Sequence, residues 1–277
     1  MSRIALLQMT TGIDPAANAQ TLVRAVEEAA AGGAAMLFTP EMSGLLDRDR
    51  ARAAVNIVGE ADSAVLRVVR GAAAKAGLWV ALGSLAIRRD DERYANRSFV
   101  IDQSGEIRAR YDKMHMFDVS LASGESWRES AAYVPGEEVV TVAGTPAGKL
   151  GLTVCYDLRF PALFEELGRQ GCEVIAIPAS FTVPTGKAHW HILQRARAIE
   201  ASAYVVAAAQ VGQHEDGRRT FGHSLVVDPW GEVLLDMGGE TPGLGFAEID
   251  AGRIAEVRAQ LPSLANKREI PRVQTHT

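Results

Sequence analysis

The sequence predicts an α/β fold in one domain with a mixed sheet, and three observations carry that expectation. Short apolar runs that end at turn residues alternate with stretches patterned for helices. Two pairs of β-rich runs, 97–101 with 107–111 and 224–227 with 233–235, flank Asp102-Gln103-Ser104-Gly105 and Asp228-Pro229-Trp230-Gly231. Those turns read as hairpins, so antiparallel pairs join a sheet that is otherwise parallel. No linker, low-complexity tract or solenoid period divides the 277 residues.

Residues 3–9 form the first strand. Asp14-Pro15 supplies a helix N-cap followed by proline in the first turn, and an Ala-rich helix runs to Gly32-Gly33. Residues 35–38 are a buried strand. Proline cannot continue a central ladder, so Thr39-Pro40 closes that strand and leaves Glu41 just past its end. A helix over 63–76 stops at Gly77, and 79–85 is a strand. A run ending at Cys155, a helix over 161–169, a strand over 174–177, a helix over 187–201 and a strand over 204–209 complete the alternation. Residues 112–138 show little periodicity, and structureless loops of that length in compact domains are usually functional. The domain is expected to span 1–262, with a polar tail over 263–277.

Composition narrows the function. A net charge of −5 offers no basic patch for nucleic acid or an anionic membrane. No apolar run is long enough to span a bilayer, and the N-terminus has no signal-peptide pattern, so a cytoplasmic setting is expected. Two cysteines, Cys155 and Cys172, give no disulfide framework. His189 and His191 stand two apart and do not share a helix face, and His115 and His223 read as residues that orient polar loops, so no metal is expected.

Cys155 ends an apolar run, Leu150 to Val154, before a polar turn. Alone it reads first as a small core residue. At a strand end, the backbone N–H groups of Tyr156 and Asp157 are also placed to receive a developing oxyanion. Glu41 and Lys113 close two other strands. A carboxylate that takes a thiol proton and an ammonium that favours thiolate and oxyanion make a usable nucleophile, although spacing alone does not bring the three together.

Thr39-Pro40-Glu41, Tyr111-Asp112-Lys113-Met114-His115 and Leu152-Thr153-Val154-Cys155-Tyr156-Asp157-Leu158-Arg159-Phe160-Pro161 closely resemble the three signature blocks of the nitrilase superfamily of carbon–nitrogen hydrolases. The resemblance covers nearly the whole chain in the same order. It implies a four-layer α-β-β-α sandwich with mixed sheets, paired as a homodimer or higher homo-oligomer. It also implies Glu41 as general base, Lys113 as electrostatic stabiliser and Cys155 as nucleophile, with Glu129 in Trp127-Arg128-Glu129-Ser130 positioning Lys113 or the substrate amide. Ser180-Phe181-Thr182, Thr185-Gly186-Lys187-Ala188-His189-Trp190, Arg195 to Glu200 and Gly222-His223-Ser224 are most similar to the branch of deaminated-glutathione amidases and omega-amidases.

That branch implies a small amide substrate bearing a carboxylate, hydrolysed through a thioester with loss of ammonia and without metal or organic cofactor. Arg159 is the candidate to grip the carboxylate in a bidentate fork, Phe181 and Thr185 to line the pocket, and the Tyr156 N–H to bind the oxyanion. An omega-amidase acting on alpha-ketoglutaramate, an N-carbamoyl or aliphatic amide hydrolase, and an idle metabolite- or partner-binding protein remain as alternatives.

Overall fold

A computed structural model of the chain describes residues 1–120, 124 and 126–275. It contains two six-stranded mixed sheets where the residue pattern alone predicts one. The first half runs β1 (Ser2–Gln8), α1 (Pro15–Ala31), β2 (Met36–Phe38), α2 (Arg50–Asn56), α3 (Ala64–Ala76), β3 (Trp79–Arg88), β4 (Tyr94–Ile101) and β5 (Ile107–Asp112). The Asp14 carboxylate accepts from Ala16 N–H and caps α1, Ser63 caps α3, and Gly77 ends α3 at φ 64°. α1 and α3 are crossovers, so β1, β2 and β3 pair in parallel, while β4 and β5 follow antiparallel.

The stretch that reads as structureless carries a small hairpin, β6 (Asp118–Ser120) with β7 (Ser126–Arg128), and a 3-10 turn over Glu129–Ala131. The hairpin tip, at 121–123 and 125, lies outside the described residues. The second sheet takes β8 (Thr141–Thr145), β9 (Gly148–Leu152), then after α4 (Pro161–Arg169) β10 (Val174–Ala176), and after α5 (Val183–Ala201) β11 (Tyr204–Ala207). The pair β12 (Val211–Gln213) and β13 (Arg219–Phe221) stands outside both large sheets, and β14 (Leu225–Val227) and β15 (Val233–Asp236) return to the second. β16 (Gly243–Ile249) crosses back to pair antiparallel with β1 from Ser2↔Ile249 to Gln8↔Gly243, and α6 (Ala251–Gln260) follows.

Side-chain alternation along β1 separates the layers. Ile4 and Leu6 face a central core shared with Leu152, Ala176 and Val206 of the second sheet. Ala5 and Leu7 face an outer core with Leu22 and Val26 of α1 and Leu66 and Val69 of α3. Phe164 of α4 and Trp190 of α5 are buried against the second sheet. The order is helices, sheet, sheet, helices, which is the four-layer arrangement that the resemblance implies. Each fully buried Leu, Ile or Phe contributes about 1.5–3 kcal/mol, so the central layer holds the two sheets in fixed register. The ends of β2, β5, β9 and β10 each lead into a residue of the site described next.

Candidate active site

Glu41 is held by its backbone. Thr39 Oγ1 accepts the Gly83 N–H at 3.0 Å, Ser84 Oγ accepts the Met42 N–H at 2.9 Å, and Gln210 Nε2 donates to the Glu41 carbonyl at 2.9 Å. The turn sits so close to β3 that a Cβ on Gly83 would lie 2.0 Å from the Thr39 carbonyl oxygen. Lys113 follows β5. Its N–H donates to Asn96 O at 2.9 Å and its carbonyl accepts the Gly136 N–H at 2.8 Å. Its Nζ donates to Glu41 Oε1 at 3.0 Å and to Glu129 Oε2 at 2.8 Å. The Phe117 N–H fixes Glu129 Oε2 from the hairpin side at 2.7 Å.

Sequence reasoning missed Asn96. Fully buried on β4, it donates through Nδ2 to Glu41 Oε1 at 2.9 Å and to Glu129 Oε1 at 3.2 Å, which ties the two carboxylates together. It lies just before the strand expected over 97–101 and is followed by polar Arg97 and Ser98, so nothing local marked it.

Cys155 arrives from the other sheet. β9 ends at Leu152, Thr153 Oγ1 donates to Ala176 O at 2.8 Å, and a 3-10 turn over Cys155–Arg159 begins at the thiol. Cys155 has φ 50°, in the left-handed region that costs a non-glycine residue about 1–3 kcal/mol and recurs at functional sites. Asp157, fully buried, holds this turn against the Lys113 loop. Its Oδ2 accepts from Tyr111 Oη at 2.7 Å and Val154 N at 2.8 Å, and its Oδ1 from His115 N at 3.0 Å, with His115 Nδ1 at 2.7 Å. Tyr111, Asp157 and His115 therefore join the two sheets directly beneath the site.

Burial, then the Glu41 carboxylate, pushes the Cys155 thiol well above its ordinary pKa, against the pull of Lys113 and the Ser180 N–H. Burial opposes charge on Lys113, but Glu129 and Glu41 outweigh it and hold the ammonium well above its usual range. The thiol thus shares its pocket with two carboxyl groups and one ammonium, and burial disfavours its charged form. A thiol held neutral in this way would need a base to act as a nucleophile, and the Glu41 carboxylate acts on it directly.

The structure also places the expected binding residues. The Arg159 guanidinium lies 5.8 Å from the Tyr156 ring centroid and 5.6 Å from that of Phe181, with Nη1 3.3 Å from His189 Nδ1. Phe181 follows Ser180, whose N–H faces the thiol. The Thr185 hydroxyl is turned back to the start of α5, 2.8 Å from Thr182 Oγ1. The expectation that Asp157 N–H receives an oxyanion is corrected, because that group already donates to Val154 O at 3.1 Å within the 3-10 turn.

A family model described as carbon–nitrogen hydrolase matches residues 3–259. The deaminated glutathione amidase of Yersinia enterocolitica is 40% identical over 273 residues, covering 96% of this chain and 93% of that protein. The crystal structure of the C. elegans NitFhit protein superposes with a TM-score of 0.89 at 35% identity, covering 96% of this chain and 65% of that longer one. A mutant of the amidase from Nesterenkonia, in a structure showing Michael addition of acrylamide at the active site cysteine, superposes with a TM-score of 0.79 at 28% identity and covers 95% of this chain and 98% of its own. With three matched blocks, a shared four-layer fold and near end-to-end similarity, the chain belongs to the carbon–nitrogen hydrolase family.

Proposed function

We propose that this hydrolase is an amidase that removes the terminal amide of a small carboxylate substrate such as deaminated glutathione, with Cys155 as nucleophile. The observation that carries the proposal is a buried thiol in reach of Glu41, beside an ammonium clamped between Glu41 and Glu129. Glu41 takes the Sγ proton as sulfur attacks the amide carbon, and the C=O electron pair moves onto oxygen. Lys113 Nζ and the Tyr156 N–H stabilise that oxyanion. The oxyanion collapses, the C–N bond breaks, and Glu41 returns the proton to nitrogen, so ammonia leaves a thioester. Glu41 then deprotonates water, which attacks the thioester carbon and releases the carboxylic acid and the thiol. Glu129 positions Lys113. Thr185 and Phe181 line the approach.

The name of the Yersinia relative supports the substrate class. Arg159 supports it chemically, because its guanidinium stands over two aromatic rings beside the Cys155 turn, where it can meet a carboxylate in a planar fork. The proposed setting is a cytoplasmic homodimer or higher homo-oligomer. Exposed Ile192, Ile199, Trp230 and Leu234 support an oligomer, and two free buried thiols suit a reducing compartment. No helix of the described residues is long and apolar enough to cross a membrane.

Ammonia release from the purified protein, with deaminated glutathione and alpha-ketoglutaramate compared side by side, tests this. Preference for deaminated glutathione, abolished in Cys155→Ala, is the expected result. Preference for alpha-ketoglutaramate moves the substrate to the omega-amide keto acids, and turnover that survives Cys155→Ala overturns the mechanism.

A further inference from the structure

Away from Cys155, three side chains from three separate segments converge on one point. His191 lies on the flank of α5, His223 in the loop between β13 and β14, and Asp236 at the end of β15. Asp236 Oδ2 is the shared atom, 2.9 Å from His191 Nε2 and 3.1 Å from His223 Nδ1, and Oδ1 stands 2.9 Å from the same His223 nitrogen. The two nitrogens and a carboxylate oxygen all lie within 4.8 Å of one another.

We propose that His191, His223 and Asp236 form a binding site for a divalent transition-metal ion of the zinc type, separate from the Cys155 site. Donor chemistry supports this, because two imidazoles and one carboxylate suit zinc and its first-row neighbours rather than magnesium or calcium. Spacing supports it too. Bonds of about 2.0–2.1 Å require ligand atoms roughly 2.9–3.4 Å apart, between octahedral and tetrahedral angles. Both oxygen-to-nitrogen separations already fall there, and the two nitrogens lie within 4.8 Å of each other. The rings and the carboxylate are 26–39% exposed at their side chains, which leaves an entry path and room for water at the remaining positions.

The surrounding framework holds the donors before any ion arrives. His223 sits at φ 54°, a left-handed backbone that non-glycine residues rarely adopt. Its N–H donates to Gly238 O at 2.8 Å, its carbonyl accepts from Trp190 Nε1 at 2.8 Å, and the Gly238 N–H donates to Asp236 Oδ1 at 2.9 Å. Phe221 stacks on His223 with centroids 4.4 Å apart and meets His191 edge-on at 6.3 Å. An ion here would clamp α5 to the loop and to β15. The His189 and His191 spacing conceals such a site in the sequence, because the partner of His191 is 32 residues away and not its neighbour on the helix.

Titration calorimetry with zinc chloride tests the proposal in Cys155→Ala protein, which removes the candidate active-site thiol as a competing zinc ligand. The expected result is one zinc per chain and a melting temperature that rises with zinc. The Cys155→Ala/His191→Gln and Cys155→Ala/Asp236→Asn variants should bind at least tenfold more weakly, by analogy with the roughly 10–100-fold cost of losing even an outer partner of a metal ligand, and should melt independently of zinc. His191 is partly exposed on a helix flank, so its variant is expected to melt near the zinc-free parent, which separates lost binding from lost fold. Absence of saturable zinc binding in the parent, or unchanged affinity in both variants, overturns the proposal.

Discussion

Glu41 and Lys113 act on the Cys155 thiol with opposite sign, and that gives a residue-scale test. Burial and the Glu41 carboxylate raise the thiol pKa, while Lys113 lowers it. Glu41→Gln removes negative charge beside the sulfur, so the midpoint of pH-dependent alkylation of Cys155 moves down even as turnover falls by about 10²–10⁴-fold through loss of the proposed base. Lys113→Met moves the same midpoint up and also lowers turnover. Alkylation with iodoacetamide across pH, beside ammonia release, measures both; midpoints that do not part in these directions contradict the assigned charges. Glu41, Lys113, Glu129 and Cys155 were legible because each lies in a local motif. Asn96 and Asp157 were not, because their roles are made by partners far along the chain. Asn96 lies 55 residues from Glu41 and 33 from Glu129, and Asp157 lies 46 from Tyr111.

At the scale of elements, the approach of the Glu41 turn to β3 depends on Gly83 having no side chain. Gly83→Ala drives a methyl group into the Thr39 and Pro40 carbonyls, which lie 2.0 and 2.3 Å from the position of its Cβ. Rigid backbone on both sides leaves little room to relax, so the expected cost is about 1–3 kcal/mol or more in denaturant unfolding, with a fall in kcat as Glu41 shifts. A second element-scale prediction concerns His214, whose Nδ1 lies 2.9 Å from Thr11 O and whose Nε2 lies 2.7 Å from Thr220 Oγ1. Burial holds its pKa below the ordinary 6.5. The unfolded chain then binds a proton that the folded chain resists, so the stability linked to this residue is complete above pH 6.5 and is lost as the pH falls below it. Urea unfolding from pH 8 down to 5 should show that decline, and His214→Gln should flatten it. Helices with proline or capping signals, α1, α3 and α4, could be read directly. β16 could not, because Gly243 and Gly245 interrupt its pattern and much of it is solvent-facing. The count of sheets was hidden for a related reason: period-2 alternation tells which face a side chain takes, not which sheet lies opposite it.

Over the whole molecule, the helices on the two flanks pack into different cores. Leu66 of α3 lies in one outer core, and Phe164 of α4 packs beyond the second sheet. Leu66→Ala and Phe164→Ala are each expected to cost about 2–5 kcal/mol. With two sheets between them, stacked about 10 Å apart, the double variant should equal the sum within about 0.5 kcal/mol. Strong non-additivity in chemical denaturation would mean that the layers do not unfold as independent packing environments.

The proposed chemistry bridges the sheets, since Glu41 and Lys113 ride on one and Cys155 on the other. Random substitution should therefore be filtered by two different criteria. Beneath the outer helices, a change in side-chain volume alters how long the protein survives in the cell while each surviving copy keeps its turnover. Between the sheets, around Leu6, Phe38 and Leu152, the same change alters the gap that sets how far the proposed base stands from the sulfur. Drift in the periphery is visible to selection as abundance, and drift in the middle as rate.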